Sequence, residues 1–233
     1  GGGRGEGPNR AMSPVLLIGL PVLILAVVIH EAAHGWMAER YGDDTARAMG
    51  RVTLNPLAHI DLVGTILLPA LLILTQAGML FGWAKPVPVD VTRLRNPRVD
   101  AVKVSLAGPA SNLLLAVMFA TPIWALWLLR QDVTAFVAAA VRVLSMGVLV
   151  NIVLAVFNMI PIPPLDGSRL LTLLLPARAA MAVERLGGGV GFMLVLGLAA
   201  FGILNRILNP AVGFLYRLLF TGIGGAYAML LYL

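Results

Sequence analysis

The segment from Val15 to His34 reads VLLIGLPVLILAVVIHEAAH, and it decides the class of fold. Residues 15–29 form an apolar run that leads directly into His30, Glu31 and His34. A helix needs about 20 mostly apolar residues to cross the hydrocarbon core of a bilayer. The segment is therefore predicted to be a membrane helix that carries ionisable side chains near its end.

The composition of the whole chain indicates the same class. Hydrophobic residues make up 59% of the sequence and charged residues 12%, with a mean hydropathy of +0.91, which is outside the usual balance of a soluble domain. The first apolar run is not typical of a cleaved signal peptide, because it ends in His30 and Glu31 and because further apolar segments follow it. We predict an integral membrane protein.

Apolar length divides the chain into six predicted spans. The fourth span is predicted to end at the prolines at positions 161, 163 and 164, and the short segment 165–175 is predicted to be a half-helix that continues it. Asn209-Pro210 is predicted to separate the last two spans. We predict an all-α polytopic membrane protein with one domain over residues 13–233, after a disordered tail at residues 1–12. The six spans are predicted at about residues 13–38, 62–81, 99–129, 133–160, 190–208 and 211–233.

Two connecting segments have the β-branched content of short strands. Residues 50–54 and residues 86–91 are predicted to form a small β element at the membrane surface. Pro86 and Pro88 would confine the second strand to an edge, where it could accept an extended peptide. A surface hairpin that only braces the helices is the alternative interpretation.

The net charge of +6 does not indicate nucleic-acid binding. The 17 lysines and arginines are spread over short loops without a compact basic block, and positive loops are typical of membrane proteins. The chain has no cysteine, which excludes disulfides, thiolate metal ligands and a cysteine nucleophile.

The pair His30 and His34 has the spacing of a zinc site. Residues four apart project from one face of a helix, so both imidazoles can reach one Zn²⁺, and Glu31 between them is placed to act as a general base toward water. The alternative is a polar cluster at a helix end without a metal, which is costly to place in a membrane helix.

A hydrolytic zinc site usually has three protein ligands and one open position. The candidates for the third ligand are His59, Asp61 and Asp166. Asp166 follows the prolines at positions 161, 163 and 164, and a broken membrane helix is tolerated where it lines a cavity. Asp166 is also a suitable N-cap for the helical segment after it, so the residues alone favour both interpretations equally.

Two separated motifs in this order resemble the site-2 protease family of intramembrane zinc metalloproteases, peptidase family M50. They are His30-Glu31-x-x-His34 and Asn158-x-x-Pro161-x-Pro163-Pro164-Leu165-Asp166-Gly167. Three further stretches, at residues 50–61, 82–88 and 107–112, resemble the compact bacterial and archaeal branch, which lacks PDZ and CBS domains.

The resemblance implies one Zn²⁺ per chain, bound by His30, His34 and Asp166. It implies that Glu31 is the general base and that Asn158 helps to hold the scissile carbonyl or its oxyanion. The implied substrate is a transmembrane protein or peptide within the lipid bilayer, and the implied location is a prokaryotic cell membrane.

His59 and Asn112 are weaker candidates for the site. His59 is predicted near the membrane surface, where it either contacts substrate or a metal ligand or only packs at the interface. Asn112 lies within a predicted span, where asparagine is typical of hydrogen bonds between helices, and this structural role is favoured over a catalytic one.

Two other functions fit the same residues. One is a metal-binding membrane protein or scaffold without peptidase activity, because intramembrane His and Asp residues also mark ion pathways. Glu31 discriminates between the two functions, because it has no necessary role in passive zinc binding whereas hydrolysis should collapse without it. The other is a membrane hydrolase acting on a lipid or a prenylated peptide.

Overall fold

The structure is a computed structural model that describes residues 14–75, 82–224 and 226–231. The predicted tail at residues 1–12 lies outside the described residues, as does the last part of the predicted span 62–81. Within the described ranges the regular structure is entirely helical. Short 3₁₀ helices lie at Pro56–His59 and Val91–Arg93, and a π-helix lies at Leu62–Leu67. The α-helices are α1 Pro14–Arg40, α2 Thr45–Ala48, α3 Leu68–Leu74, α4 Pro97–Leu128, α5 Ala135–Asn158, α6 Gly167–Leu174, α7 Ala177–Arg185, α8 Gly189–Ala200, α9 Ile203–Leu219 and α10 Ala226–Leu231.

Three predicted spans correspond to long apolar helices. By length and composition, Gly19–Arg40 of α1, Pro97–Leu128 of α4 and Ala135–Asn158 of α5 can each cross a membrane. These three helices pack against one another. Their outward faces carry exposed apolar side chains such as Leu25, Leu114 and Phe136, which suits contact with lipid.

The later spans differ from the prediction, and a total of six is not confirmed. The helix break expected at Asn209-Pro210 is wrong, because α9 continues through Pro210. The chain breaks instead at Gly202, whose φ of +69° lies in the left-handed region that glycine enters at little cost. Residues 178–185 and 189–200 form a pair bent by 70°, which raises the count in the described residues from three spans to at most four.

The predicted β element is also wrong, because residues 50–54 and 86–91 form no strand. Residues 82–90 have no regular secondary structure. Pro86 and Pro88 lack the N–H groups that one edge of a ladder would need. On the other edge, the N–H groups of Trp83 and Lys85 donate to the carbonyl oxygens of Gly64 and His59 at 3.1 and 2.9 Å.

The segment 82–90 is instead held to the first part of the chain by hydrogen bonds. The Arg51 guanidinium donates to the carbonyl of Lys85 at 2.7 Å, and the Asp90 N–H donates to the buried Asp43 carboxylate at 2.7 Å. Hydrogen bonds from the Thr92 hydroxyl and N–H hold the pKa of the Asp90 carboxyl below its ordinary value. This segment is therefore held against the residues that follow α1.

Glycines allow the chain to approach closely where the site is built. A Cβ on Gly147 of α5 would lie 2.6 Å from the Phe119 ring of α4. Between α5 and α6 the chain turns back through residues 159–166, and a Cβ on Gly167 would lie 2.3 Å from the Met159 carbonyl oxygen. Glycine at position 167 therefore lets α6 begin directly after Asp166.

Candidate metal centre

His30 and His34 lie one turn apart on the face of α1 that packs against α4. Both are buried, with 6% and 8% of their surface exposed, and their Nε2 atoms are 3.1 Å apart. Two imidazole nitrogens at this distance point to a common place between α1 and α4.

Asp166 joins the two histidines from the turn before α6. Its Oδ2 lies 3.2 Å from His30 Nε2 and 3.3 Å from His34 Nε2. Among the described residues, these three form the one group of three or more His, Cys, Asp or Glu side chains that could hold a metal ion.

The N-cap interpretation of Asp166 is half right. The residue occupies the N-cap position of α6, but its side chain makes no capping hydrogen bond. Its Oδ1 accepts from the Ser105 hydroxyl of α4 at 3.4 Å, while Oδ2 faces the histidines. The carboxylate is therefore used at the cluster and not at the end of the helix.

The three facing atoms fit a zinc ion. His34 Nδ1 is 2.7 Å from the Val104 carbonyl oxygen, an acceptor only, so Nδ1 carries the proton and Nε2 presents a lone pair. The buried Asp166 Oδ2 has no hydrogen-bond donor. Ligands about 2.0–2.1 Å from a tetrahedral ion are about 3.3 Å apart, close to the observed spacing of the three atoms.

Gly108 of α4 leaves the space for this cluster. A Cβ at position 108 would lie 2.4 Å from His34 Nε2 and 2.6 Å from His30 Nε2. No other residue would allow α4 to pass this close to both imidazoles.

Glu31 lies beside the cluster and is held by a hydrogen bond from the segment 82–90. Its Oε2 accepts the Val87 N–H at 2.8 Å, and the residue is half-buried. Because Pro86 and Pro88 flank Val87, this N–H is the donor that the segment offers at that point.

The other two candidates for the third ligand lie elsewhere. His59 is buried, and its Nε2 is 3.0 Å from the Thr53 carbonyl oxygen. The Asp61 carboxylate accepts the N–H groups of Val63 and Gly64 at 3.0 and 2.7 Å, as a helix cap does. Neither belongs to the cluster.

Asn158 and Asn112 are placed differently. Asn158, at the end of α5, donates to the Leu154 carbonyl of its own helix at 3.0 Å. Asn112 is fully buried, and its Oδ1 is 2.6 Å from His30 Nδ1. Asn112 therefore contacts a member of the cluster directly, while the hydrogen bond of Asn158 is local.

Sequence reasoning missed several residues around the cluster. Asn151 of α5 hydrogen-bonds Asn112, and its position in an apolar helix is a signal that could have identified it. Ser105 and the backbone groups of Val104 and Val87 give no comparable signal, because only packing brings them to the site.

Comparisons with known proteins assign the family. Over 191 residues the chain is 38% identical to "Putative zinc metalloprotease YwhC" of Bacillus subtilis, covering 79% of this chain and 81% of that protein. The chain belongs to peptidase family M50. The model of peptidase family M50 itself matches residues 129–198, which include Asn158 and Asp166.

More distant relatives of this M50 chain carry a similar name. It is 30% identical over 159 residues to "Putative zinc metalloprotease Rip2" of Mycolicibacterium smegmatis, covering 66% of this chain and 58% of that protein. With the Mycobacterium tuberculosis protein of the same name it is 32% identical over 164 residues, covering 68% of this chain and 60% of that protein. No solved structure matches the chain significantly.

Family membership and the apolar helices together define the broad class of this protein. It is a zinc metalloprotease and an integral membrane protein, and zinc is its cofactor.

Proposed function

We propose that this M50 chain cleaves peptide bonds in or near transmembrane segments of membrane proteins, with one zinc held by His30, His34 and Asp166. The observation that carries the proposal is the triangle of two Nε2 atoms and one carboxylate oxygen, spaced 3.1–3.3 Å apart. The triangle lies among helices long and apolar enough to cross a membrane. The same helices support a multi-pass protein, and a prokaryotic cell membrane is its proposed location.

The proposed ligands fit a hydrolytic site. Two neutral imidazoles and one carboxylate leave a fourth position open for water or substrate. When bound, zinc supplies a Lewis acid that polarises the scissile carbonyl and lowers the pKa of water toward about 7.

Glu31 is proposed to move the proton. Its Oε2 is held by the Val87 N–H, so Oε1 is the oxygen proposed to take a proton from the attacking water. The carboxyl group then returns that proton to the leaving amine of the substrate. Because Glu31 and the two histidines all lie on α1, the helix fixes the distance between the proposed base and two of the proposed metal ligands.

Asn158 is proposed to donate to the developing oxyanion. One hydrogen of its side-chain amide is used by the Leu154 carbonyl, and a primary amide has a second. A single donor of this kind is worth about 3 kcal/mol in other hydrolases.

The test uses the purified chain in proteoliposomes with three substrates: a model transmembrane helix, a soluble peptide of the same cleavable sequence, and labelled phospholipid. We expect cleavage of the helix, its loss on chelation and its recovery on addition of Zn²⁺. Cleavage of the soluble peptide alone would contradict an intramembrane role, and lipid hydrolysis would favour a lipase. Tight zinc binding without any hydrolysis would favour a metal-binding scaffold.

Replacing Val87 with proline should slow proteolysis by about 10-fold or more, since a hydrogen bond to a charged group is worth about 1.5–3 kcal/mol. The change removes the N–H that holds Glu31 Oε2. Peptidase rate and zinc content are measured together. Val87→Ala keeps the N–H and is the matched control, so equal rates for the two variants would show that this hydrogen bond does not position the base.

A further inference from the structure

A chain of buried amide groups leads from α5 through α4 to His30. Asn151 Nδ2 donates to the Gly147 carbonyl at 2.9 Å, and Asn112 Nδ2 donates both to Asn151 Oδ1 at 3.0 Å and to the Ala26 carbonyl at 3.2 Å. Asn112 Oδ1 then lies 2.6 Å from His30 Nδ1. Both asparagines are fully buried.

We propose that Asn112, oriented by Asn151, is a positioning residue that fixes His30 as the tautomer with Nδ1 protonated, so that Nε2 presents its lone pair to the metal. This role rests on the metal site of the proposed function and goes beyond it. The asparagines themselves contact neither metal nor substrate and act only through His30.

The direction of every hydrogen bond in this row of amide groups follows from the backbone carbonyls that the two asparagines contact. The carbonyls of Gly147 and Ala26 can only accept, so the NH₂ groups of Asn151 and Asn112 must face them. Asn112 therefore turns its oxygen toward His30, and that oxygen also can only accept. The proton of the His30 imidazole is then required on Nδ1.

The opposite orientation of Asn112 would be costly. Its oxygen would face the Ala26 carbonyl and Asn151 Oδ1, placing acceptors against acceptors in a buried site. An unsatisfied buried polar group costs about 1–3 kcal/mol, and the flip would create more than one. This asymmetry locks the amide, and with it the tautomer.

The two histidines reach the same state by different means. The Nδ1–H of His34 donates a hydrogen bond to the Val104 backbone carbonyl, which no side-chain substitution removes. His30 depends on a side chain, so the inference can be tested at Asn112. A hydrogen bond of this kind orients the imidazole and raises its basicity as a ligand.

The test measures zinc affinity by chelator competition in detergent, beside the thermal stability of the metal-free protein. Asn112→Leu has similar volume and no acceptor, and it should lower zinc affinity about 10–100-fold. Asn112→Asp keeps an acceptor for His30 but loses the donations to Asn151 and to the Ala26 carbonyl. Its cost should therefore fall on thermal stability, while its zinc affinity should stay within about 10-fold of the wild-type value. Ser111→Ala is the matched control, because the Ser111 hydroxyl bonds its own helix at Gly108.

The outcomes separate positioning from helix packing. If Asn112 only links helices, Asn112→Asp and Asn112→Leu should both lose zinc affinity in proportion to their loss of thermal stability. That result would overturn the proposal. Wild-type affinity in Asn112→Leu would overturn it too, while leaving the proposed metal site intact. A wild-type chain that binds no zinc would overturn the metal site, and the positioning role with it.

A second measurement applies if the variants do not fold. In the metal-free wild type labelled with ¹⁵N-histidine, magnetic resonance should show that Nδ1 of His30 carries a proton, whether or not Nε2 carries one toward Asp166 as well. The His30 signals are assigned by comparison with His59→Gln and His34→Gln. An unprotonated Nδ1 of His30 would overturn the proposal without any change to Asn112.

Discussion

Glu31→Gln should lower the rate of peptide cleavage by about 10²–10⁴-fold, the range that general acid–base catalysis contributes, and should leave about one zinc per chain. The glutamine side chain keeps the size of glutamate and can still accept the Val87 N–H, but it cannot take a proton from water. Cleavage of a transmembrane substrate and metal content are measured on the same preparation.

Glu39→Gln is the matched control for this prediction. Glu39 lies on the same helix, where it pairs with Arg47 and has no contact with the cluster. Its variant should cleave at the wild-type rate. If Glu31→Gln cleaved as fast as Glu39→Gln, the proton acceptor would have to be another group.

Asp166→Asn should lower zinc affinity by more than the roughly 10–100-fold that the loss of an outer hydrogen-bond partner costs, and proteolysis should fall with it. A neutral amide oxygen is a weaker ligand than a carboxylate, and the two imidazoles alone leave the ion with too few ligands. Zinc per chain after gel filtration and the affinity from chelator competition both report the loss.

Asp61→Asn provides the control for that experiment, because Asp61 was a candidate for the same role from sequence alone. Its carboxylate caps the backbone at residues 63 and 64, away from the cluster. We expect full zinc binding in this variant. Full binding in Asp166→Asn together with loss in Asp61→Asn would show that Asp61, and not Asp166, is the third ligand.

The long helices were predictable because apolar length is a local property. α1, α4 and α5 each carry their own signal, and each lies close to its predicted bounds. The later helices were harder, since both Gly202 and Asn209-Pro210 are possible breaks in the sequence. A proline in a helix costs one backbone hydrogen bond, whereas a glycine at positive φ ends the helix directly.

The β element failed because strand patterns say nothing about partners. Residues 86–91 have suitable side chains, but their N–H groups have other partners: that of Val87 bonds to Glu31 and that of Asp90 to Asp43. Just before this segment, the N–H groups of Trp83 and Lys85 bond to Gly64 and His59. Those partners come from distant parts of the chain. The same tertiary contact places Val87 beside the proposed base.

By itself the sequence determined that this chain enters the membrane and that His30 and His34 share one helix face, because apolar length and a spacing of four are local facts. Only the tertiary structure brought Asp166, and neither His59 nor Asp61, to the two histidines, and gave Asn112 its contact with His30. Both depend on which side chains the packing of α1, α4 and α5 brings within hydrogen-bonding distance, and sequence separation does not record that distance.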